Sequence, residues 1–146
     1  MSAGSAPRVL VIDDERYLRE LLREMLEAWG CVADVAPDGA EGIARFAGGG
    51  YDLVLTDFLM PGVSGLEVVE AVRRSDPAVG VVMLTASLDD LDAYAEQLGF
   101  TLLRKPLDFE GLRAAVMEAL AGRALTPAPA VAGGPTGPRP RTPLRP

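Results

Sequence analysis

Polar residues that could do chemistry stand where apolar runs end. Asp13 and Asp14 follow Arg8-Val-Leu-Val-Ile12, Asp57 follows Asp52-Leu-Val-Leu-Thr56, Thr85 follows Val81-Val-Met-Leu84, and Lys105 follows Thr101 to Arg104. Carboxylates gathered in one place repel one another unless a cation neutralises them. A few carboxylates plus water suit magnesium, which commonly bridges protein acids to a phosphoryl group. An aspartate beside such a metal can attack phosphorus and form an acyl phosphate. The transferred group then needs its other oxygens held; a lysine supplies a point charge and a hydroxyl a hydrogen bond. Asp13, Asp14, Asp57, Thr85 and Lys105 make up that whole set. Taken singly, each has a plainer reading: a strand-end aspartate caps the next helix, a threonine is an ordinary hydroxyl, and a lysine is a solvated charge.

The elements that must position these residues are legible as alternating periods. Arg8 to Ile12, Val32 to Ala36, Asp52 to Thr56, Val81 to Leu84 and Thr101 to Arg104 read as short strands. Between them, Leu18, Leu21, Leu22, Met25, Leu26 and Trp29 recur at helical spacing, with Gly30 at a stop position. Asp38 can cap a helix running to about Ala47, before Gly48-Gly49-Gly50 breaks it. Leu66 to Arg74, Asp89 to Leu98 and Phe109 to Ala121 read as the remaining helices. Unbroken apolar strands are buried on both faces, so the expectation is an α/β fold: a doubly wound five-stranded parallel sheet with five helices. Ligands of such sheets bind outside the carboxyl ends of the strands, near the point where strand order reverses. The fold rule and the polar residues therefore choose the same place.

Composition narrows the function. The chain has no histidine, which excludes a catalytic histidine, a histidine metal ligand or a phosphohistidine relay within it. Net charge is -7, unevenly placed: residues 122–146 hold Arg123, Arg139, Arg141 and Arg145 and no acid. Without those four, 10 basic residues face 21 acidic ones, so residues 1–121 carry -11. An acidic body repels nucleic-acid phosphate; it suits a cation-binding protein or one that docks on a basic partner. No apolar run is long enough to span a bilayer, and Met1 to Pro7 lacks the pattern of a signal peptide, so the expected location is cytoplasmic. The lone Cys31 reads as a small apolar side chain at a strand start. From Gly122 onward Ala, Pro, Gly and Arg dominate and apolar periodicity ends; the expected organisation is one domain over residues 8–121 and a flexible tail over 122–146.

Val9-Leu-Val-Ile-Asp-Asp14, Asp57-Phe-Leu-Met-Pro-Gly-Val-Ser-Gly65, Leu84-Thr-Ala86 and Lys105-Pro106 occur in this order, each after an expected strand. Together they resemble the response-regulator receiver family, also called CheY-like, over about residues 8–121. The resemblance implies a flavodoxin-like (βα)5 fold and a phosphoacceptor role in a two-component phosphorelay. It makes Asp57 the phosphoacceptor and a magnesium ligand, Asp14 a direct magnesium ligand, Asp13 a ligand through water, and the backbone carbonyl of Leu59 a further ligand. Thr85 would move onto the phosphoryl group and Lys105 would pair with one of its oxygens. The Lys105-Pro106 bond would be cis. The donor would be a histidine kinase or histidine phosphotransfer protein, and the only reactions catalysed would be the chain's own phosphorylation and dephosphorylation.

Two departures from the family pattern bear on output. Leu102 stands where members usually carry Tyr or Phe, and Gly99 to Lys105 is one residue shorter than common. A haloacid-dehalogenase-type phosphatase needs a second aspartate two positions after the nucleophile, where this chain has Leu59. A pseudo-receiver that only binds proteins often loses some of the five site residues, all of which are present here. Nothing after Ala121 resembles a helix-turn-helix, so direct nucleic-acid binding is not expected.

Overall fold

A computed structural model describes residues 6–87 and 89–125. Strand and helix alternate along it: β1 (Arg8–Ile12), α1 (Arg16–Ala28), β2 (Val32–Ala36), α2 (Gly39–Ala47), β3 (Leu53–Asp57), α3 (Gly65–Ser75), β4 (Gly80–Thr85), α4 (Asp92–Leu98), β5 (Thr101–Arg104) and α5 (Phe109–Leu125). The strands form one parallel sheet in the order β2-β1-β3-β4-β5. Order reverses about β1, so the crevice for a ligand opens between the ends of β1 and β3.

Alternation along each strand sorts its side chains into two cores. Leu10, Ile12, Val54, Val81 and Met83 face one side, where Phe46 of α2 and Val68, Val69 and Val72 of α3 cover them. Val9, Val11, Leu53, Leu55, Val82 and Leu84 face the other, under Leu22 and Leu26 of α1 and Leu112, Ala115 and Val116 of α5. Leu22, Leu26 and Leu112 are at most 1% exposed; full burial of such a side chain is worth roughly 1.5–3 kcal/mol. The edge strands β2 and β5 are only partly covered.

Local chemistry fixes the ends of the elements. The Asp38 carboxylate accepts the N–H of Glu41 at 2.8 Å, capping α2. Ser64 and Glu67 form a reciprocal capping box at the start of α3. At the amino-terminal edge of the sheet, the Arg8 guanidinium lies 4.6 Å from the Tyr51 ring centroid and 3.1 Å from the Asp34 carboxylate. The N–H of Arg8 also donates to Asp52, so the starts of β1 and β3 and the middle of β2 are tied together far from the strands' carboxyl ends.

Two helix limits differ from expectation. α4 begins at Asp92 rather than Asp89. Short polar side chains hold the preceding backbone in turns: Ser87 Oγ accepts the N–H of Asp89, and Asp90 Oδ1 accepts that of Asp92. α5 continues to Leu125 rather than ending at Ala121. Arg123, Ala124 and Leu125 are good helix formers, and the first proline comes only at 127. Of the expected tail, residues 122–125 thus belong to a helix, and 126–146 lie outside the described residues.

Candidate functional site

Asp57 is the last residue of β3, and Asp13 and Asp14 follow the last residue of β1, where Ile12 pairs with Thr56. This register brings the three carboxylates into one cluster, with an oxygen from each within 4.8 Å of the others. Asp13 is 1% exposed and Asp57 7%, whereas Asp14 is open to solvent. The cluster therefore joins two buried acids to one that is open to solvent.

The two buried acids differ in their partners. Oδ1 of Asp13 accepts the N–H of Glu15 at 2.8 Å, while its Oδ2 is buried without a hydrogen-bond partner. Such an oxygen is costly unless positive charge meets it. Burial, partly opposed by the Glu15 N–H, pushes the Asp13 carboxyl up to about 6, and the charge of Asp57 adds to the rise. Asp57 is also raised by burial, against the opposing pull of Lys105, whose Nζ lies 3.2 Å from Oδ1. One ammonium among three carboxylates leaves a net negative cluster, and the unpartnered Oδ2 points to where the deficit lies. The residues fit a hard divalent cation held by oxygen.

Thr85 ends β4 next to β3, with Asp57 in register with Leu84. It is fully buried, and its Oγ1 accepts the N–H of Ser87 at 2.8 Å. Lys105 comes from the residue after β5, fixed by donation of its N–H to the Thr85 carbonyl at 2.8 Å. The Lys105-Pro106 peptide is cis, as expected. The structure thus unites Asp13, Asp14, Asp57 and Lys105 directly, and sets Thr85 beside them with its hydroxyl engaged by the following loop. Leu59 lies past β3 and is 58% exposed.

Arg19 and Arg104 support the site without a sequence signal, and Gly65 showed only as the end of a motif. The Arg19 guanidinium donates to the carbonyl of Asp13 at 2.7 Å, bracing the turn that carries two of the acids. Nothing distinguishes Arg19 in sequence from Arg16 or Arg23 on the same helix. Gly65 packs against the end of β3 so closely that a Cβ there would collide with the Asp57 carbonyl oxygen and stand 2.9 Å from the Cα of Phe58. The Arg104 guanidinium reaches the loop after Thr85, donating to the Ser87 carbonyl at 2.7 Å.

The sequence pattern of the response regulator receiver domain family matches residues 9–117. The uncharacterized transcriptional regulatory protein YkoG of Bacillus subtilis is 35% identical over 114 residues, which cover 77% of this chain and 50% of YkoG. The chain thus spans about half the length of that relative. A response regulator receiver domain protein of Clostridium thermocellum superposes with a TM-score of 0.77 at 30% identity, over 83% of this chain and 99% of that one. The response regulator TrrA of Thermotoga maritima, solved in complex with Mg2+-BeF, gives a TM-score of 0.73 at 36% identity, over 78% of this chain and 99% of TrrA.

Proposed function

Because this chain belongs to the response regulator receiver domain family, we propose that Asp57 is its phosphoacceptor and that Lys105, Thr85, Asp13 and Asp14 complete the site. The chain is a receiver homologous to those of two-component response regulators, and such receivers are phosphorylated by histidine kinases. Receiver domains of response regulators are generally not conventional enzymes, and on this reading the chain acts as a signalling module. The donor for this chain is a histidine kinase or a histidine phosphotransfer protein, met in the cytoplasm. Among the described residues, no helix is long and apolar enough to cross a membrane.

The observation that carries this reading is the pairing of a buried strand-end carboxylate, Asp57, with the ammonium of Lys105 at 3.2 Å inside an acidic cluster. A carboxylate oxygen of Asp57 forms the new bond to phosphorus as the bond from phosphorus to the donor's imidazole nitrogen breaks, and the imidazole leaves with the electron pair. Lys105, already at the carboxylate, is placed to pair with an oxygen of the incoming group. Asp13 and Asp14, with the Leu59 carbonyl, would hold magnesium. When bound, that ion would neutralise the clustered acids and the phosphoryl oxygens together. Thr85 would exchange its Ser87 contact for one to the phosphoryl group. Leu59 cannot transfer a proton at the position where a phosphatase of the dehalogenase type needs an acid, so the acyl phosphate persists as a signal. The reading is tested by intact mass after incubation with acetyl phosphate and magnesium: one added phosphoryl group is expected, and none on Asp57→Asn.

A further inference from the structure

The chain leaving β5 carries two adjacent cations that turn to different places. Lys105 turns to Asp57, whereas Arg104 reaches across to the loop between β4 and α4. Its Nη1 donates to the Ser87 carbonyl at 2.7 Å, and its Nη2 lies 3.5 Å from the Asp89 carbonyl. Thr85 holds the same loop from the other side, accepting the Ser87 N–H at 2.8 Å. Ser87 is therefore gripped at both its N–H and its carbonyl. Both grips come from neighbouring strands, which are locked in register by the pairing of Thr85 with Arg104.

Alternation places Leu102 and Arg104 on one face of β5. Leu102 packs into the core beneath α2 and α3, to which Ala95 and Leu98 of α4 also contribute, and Leu103 packs into the opposite one. Arg104 thus emerges on the side where α4 packs. Leu102 is an aliphatic filler with no polar group to register the state of Thr85. The planar guanidinium two residues on, with donors for two carbonyls, does have one.

We propose that Arg104 is the restraint that phosphorylation works against: it holds Ser87 in the unphosphorylated loop, and its strength sets how readily that loop rearranges. The proposal rests on Asp57 being the phosphoacceptor. When Thr85 moves towards a phosphoryl group on Asp57 it gives up the Ser87 N–H, and the loop can follow it only if the Ser87 carbonyl also leaves Arg104. A contact made in only one of two states biases the equilibrium towards that state, so loosening Arg104 favours the loaded arrangement.

The test uses the full chain labelled with nitrogen-15, comparing the parent with Arg104→Ala and Arg104→Lys. Without any phosphoryl group, amide hydrogen exchange at Ser87 is expected to be about fivefold faster in Arg104→Ala. With magnesium present, the apparent affinity for beryllofluoride is expected to tighten by about fivefold, because less restraint must be overcome. Arg104→Lys keeps the charge but cannot span both carbonyls, and is expected to fall between Arg104→Ala and the parent in both readings. Unchanged exchange, or faster exchange with unchanged beryllofluoride affinity, would overturn the proposal. If the parent itself bound no beryllofluoride, the phosphoacceptor reading would fall, while Ser87 exchange would still decide whether Arg104 restrains the loop. Should Arg104→Ala not fold, Arg104→Gln gives the same readings with a smaller change of side-chain volume.

Discussion

The N–H of Lys105 donates to the carbonyl of Thr85 at 2.8 Å. That single bond sets two site residues against each other, since it aligns the residue after β5 with the last residue of β4. Strand β4 is in turn registered on β3 with Leu84 opposite Asp57. The ammonium beside Asp57 and the hydroxyl next to it are thus delivered by the sheet rather than by flexible loops, which is how a site holds its geometry before its ligand arrives.

Removing the ammonium should slow phosphorylation without unfolding the protein. In Lys105→Ala the labelling rate with acetyl phosphate is expected to fall by about tenfold or more, since a preorganised charge at the reacting group is lost. Without magnesium the melting temperature should also fall by a few degrees, because the Asp57 side chain is only 9% exposed and its carboxylate loses its ammonium partner. An unchanged labelling rate would show that Lys105 is only a partner of the resting carboxylate.

The raised Asp13 carboxyl predicts a definite pH dependence. Its ordinary value is 3.8 and its folded value about 6. Because the folded value is the higher one, the group stabilises the metal-free fold fully below pH 3.8, and that contribution is lost as pH rises to about 6. A cation binds the charged form, so the rise in melting temperature on adding magnesium should grow with pH and level off above about 6. Asp13→Asn should melt higher than the parent without magnesium at neutral pH and lose most of the magnesium response. An equal magnesium response at pH 5 and pH 7.5 would contradict this account of the acid.

Gly65 should tolerate no side chain. A Cβ would meet the Asp57 carbonyl oxygen and the Phe58 Cα at 2.9 Å, both backbone atoms that cannot swing aside. Gly65→Ala is expected to cost about 1–3 kcal/mol, as overpacking generally does, and to slow labelling by displacing Asp57. A melting temperature equal to that of the parent would mean that α3 shifts freely away from β3.

Thr85→Ala should still accept the phosphoryl group but transmit it poorly. The Ser87 N–H loses its acceptor, so Ser87 is expected to exchange rapidly with or without beryllofluoride. A normal beryllofluoride-induced shift at Ser87 in this variant would reduce Thr85 to a structural hydroxyl.

Much of this arrangement was legible in sequence because the chemistry sits at the ends of apolar runs. Asp13, Asp14, Asp57, Thr85 and Lys105 each end or follow a strand, and the carboxyl ends of a parallel sheet's strands lie together. The strand order was not legible, since it depends on pairings between residues far apart, such as Ile12 with Thr56. The start of α4 was misplaced by three residues because Ser87 and Asp90 favour turns that compete with helix over the same stretch. Arg19 and Arg104 were invisible for a different reason: an arginine that grips a distant carbonyl has the same local sequence as one facing water. Gly65 was readable as part of a motif, but the collision that excludes a side chain appears only once α3 is docked on β3.

The central claim is that the phosphoryl group is carried by Asp57, and reductive trapping tests it most directly. The chain is incubated with acetyl phosphate and magnesium, treated with borohydride, digested and analysed by peptide mass spectrometry. Borohydride reduces an acyl phosphate to the alcohol, so the account predicts homoserine in place of aspartate at residue 57 and unmodified aspartate at 13 and 14. Homoserine at either of those positions, or none anywhere despite a stable mass gain, would contradict it.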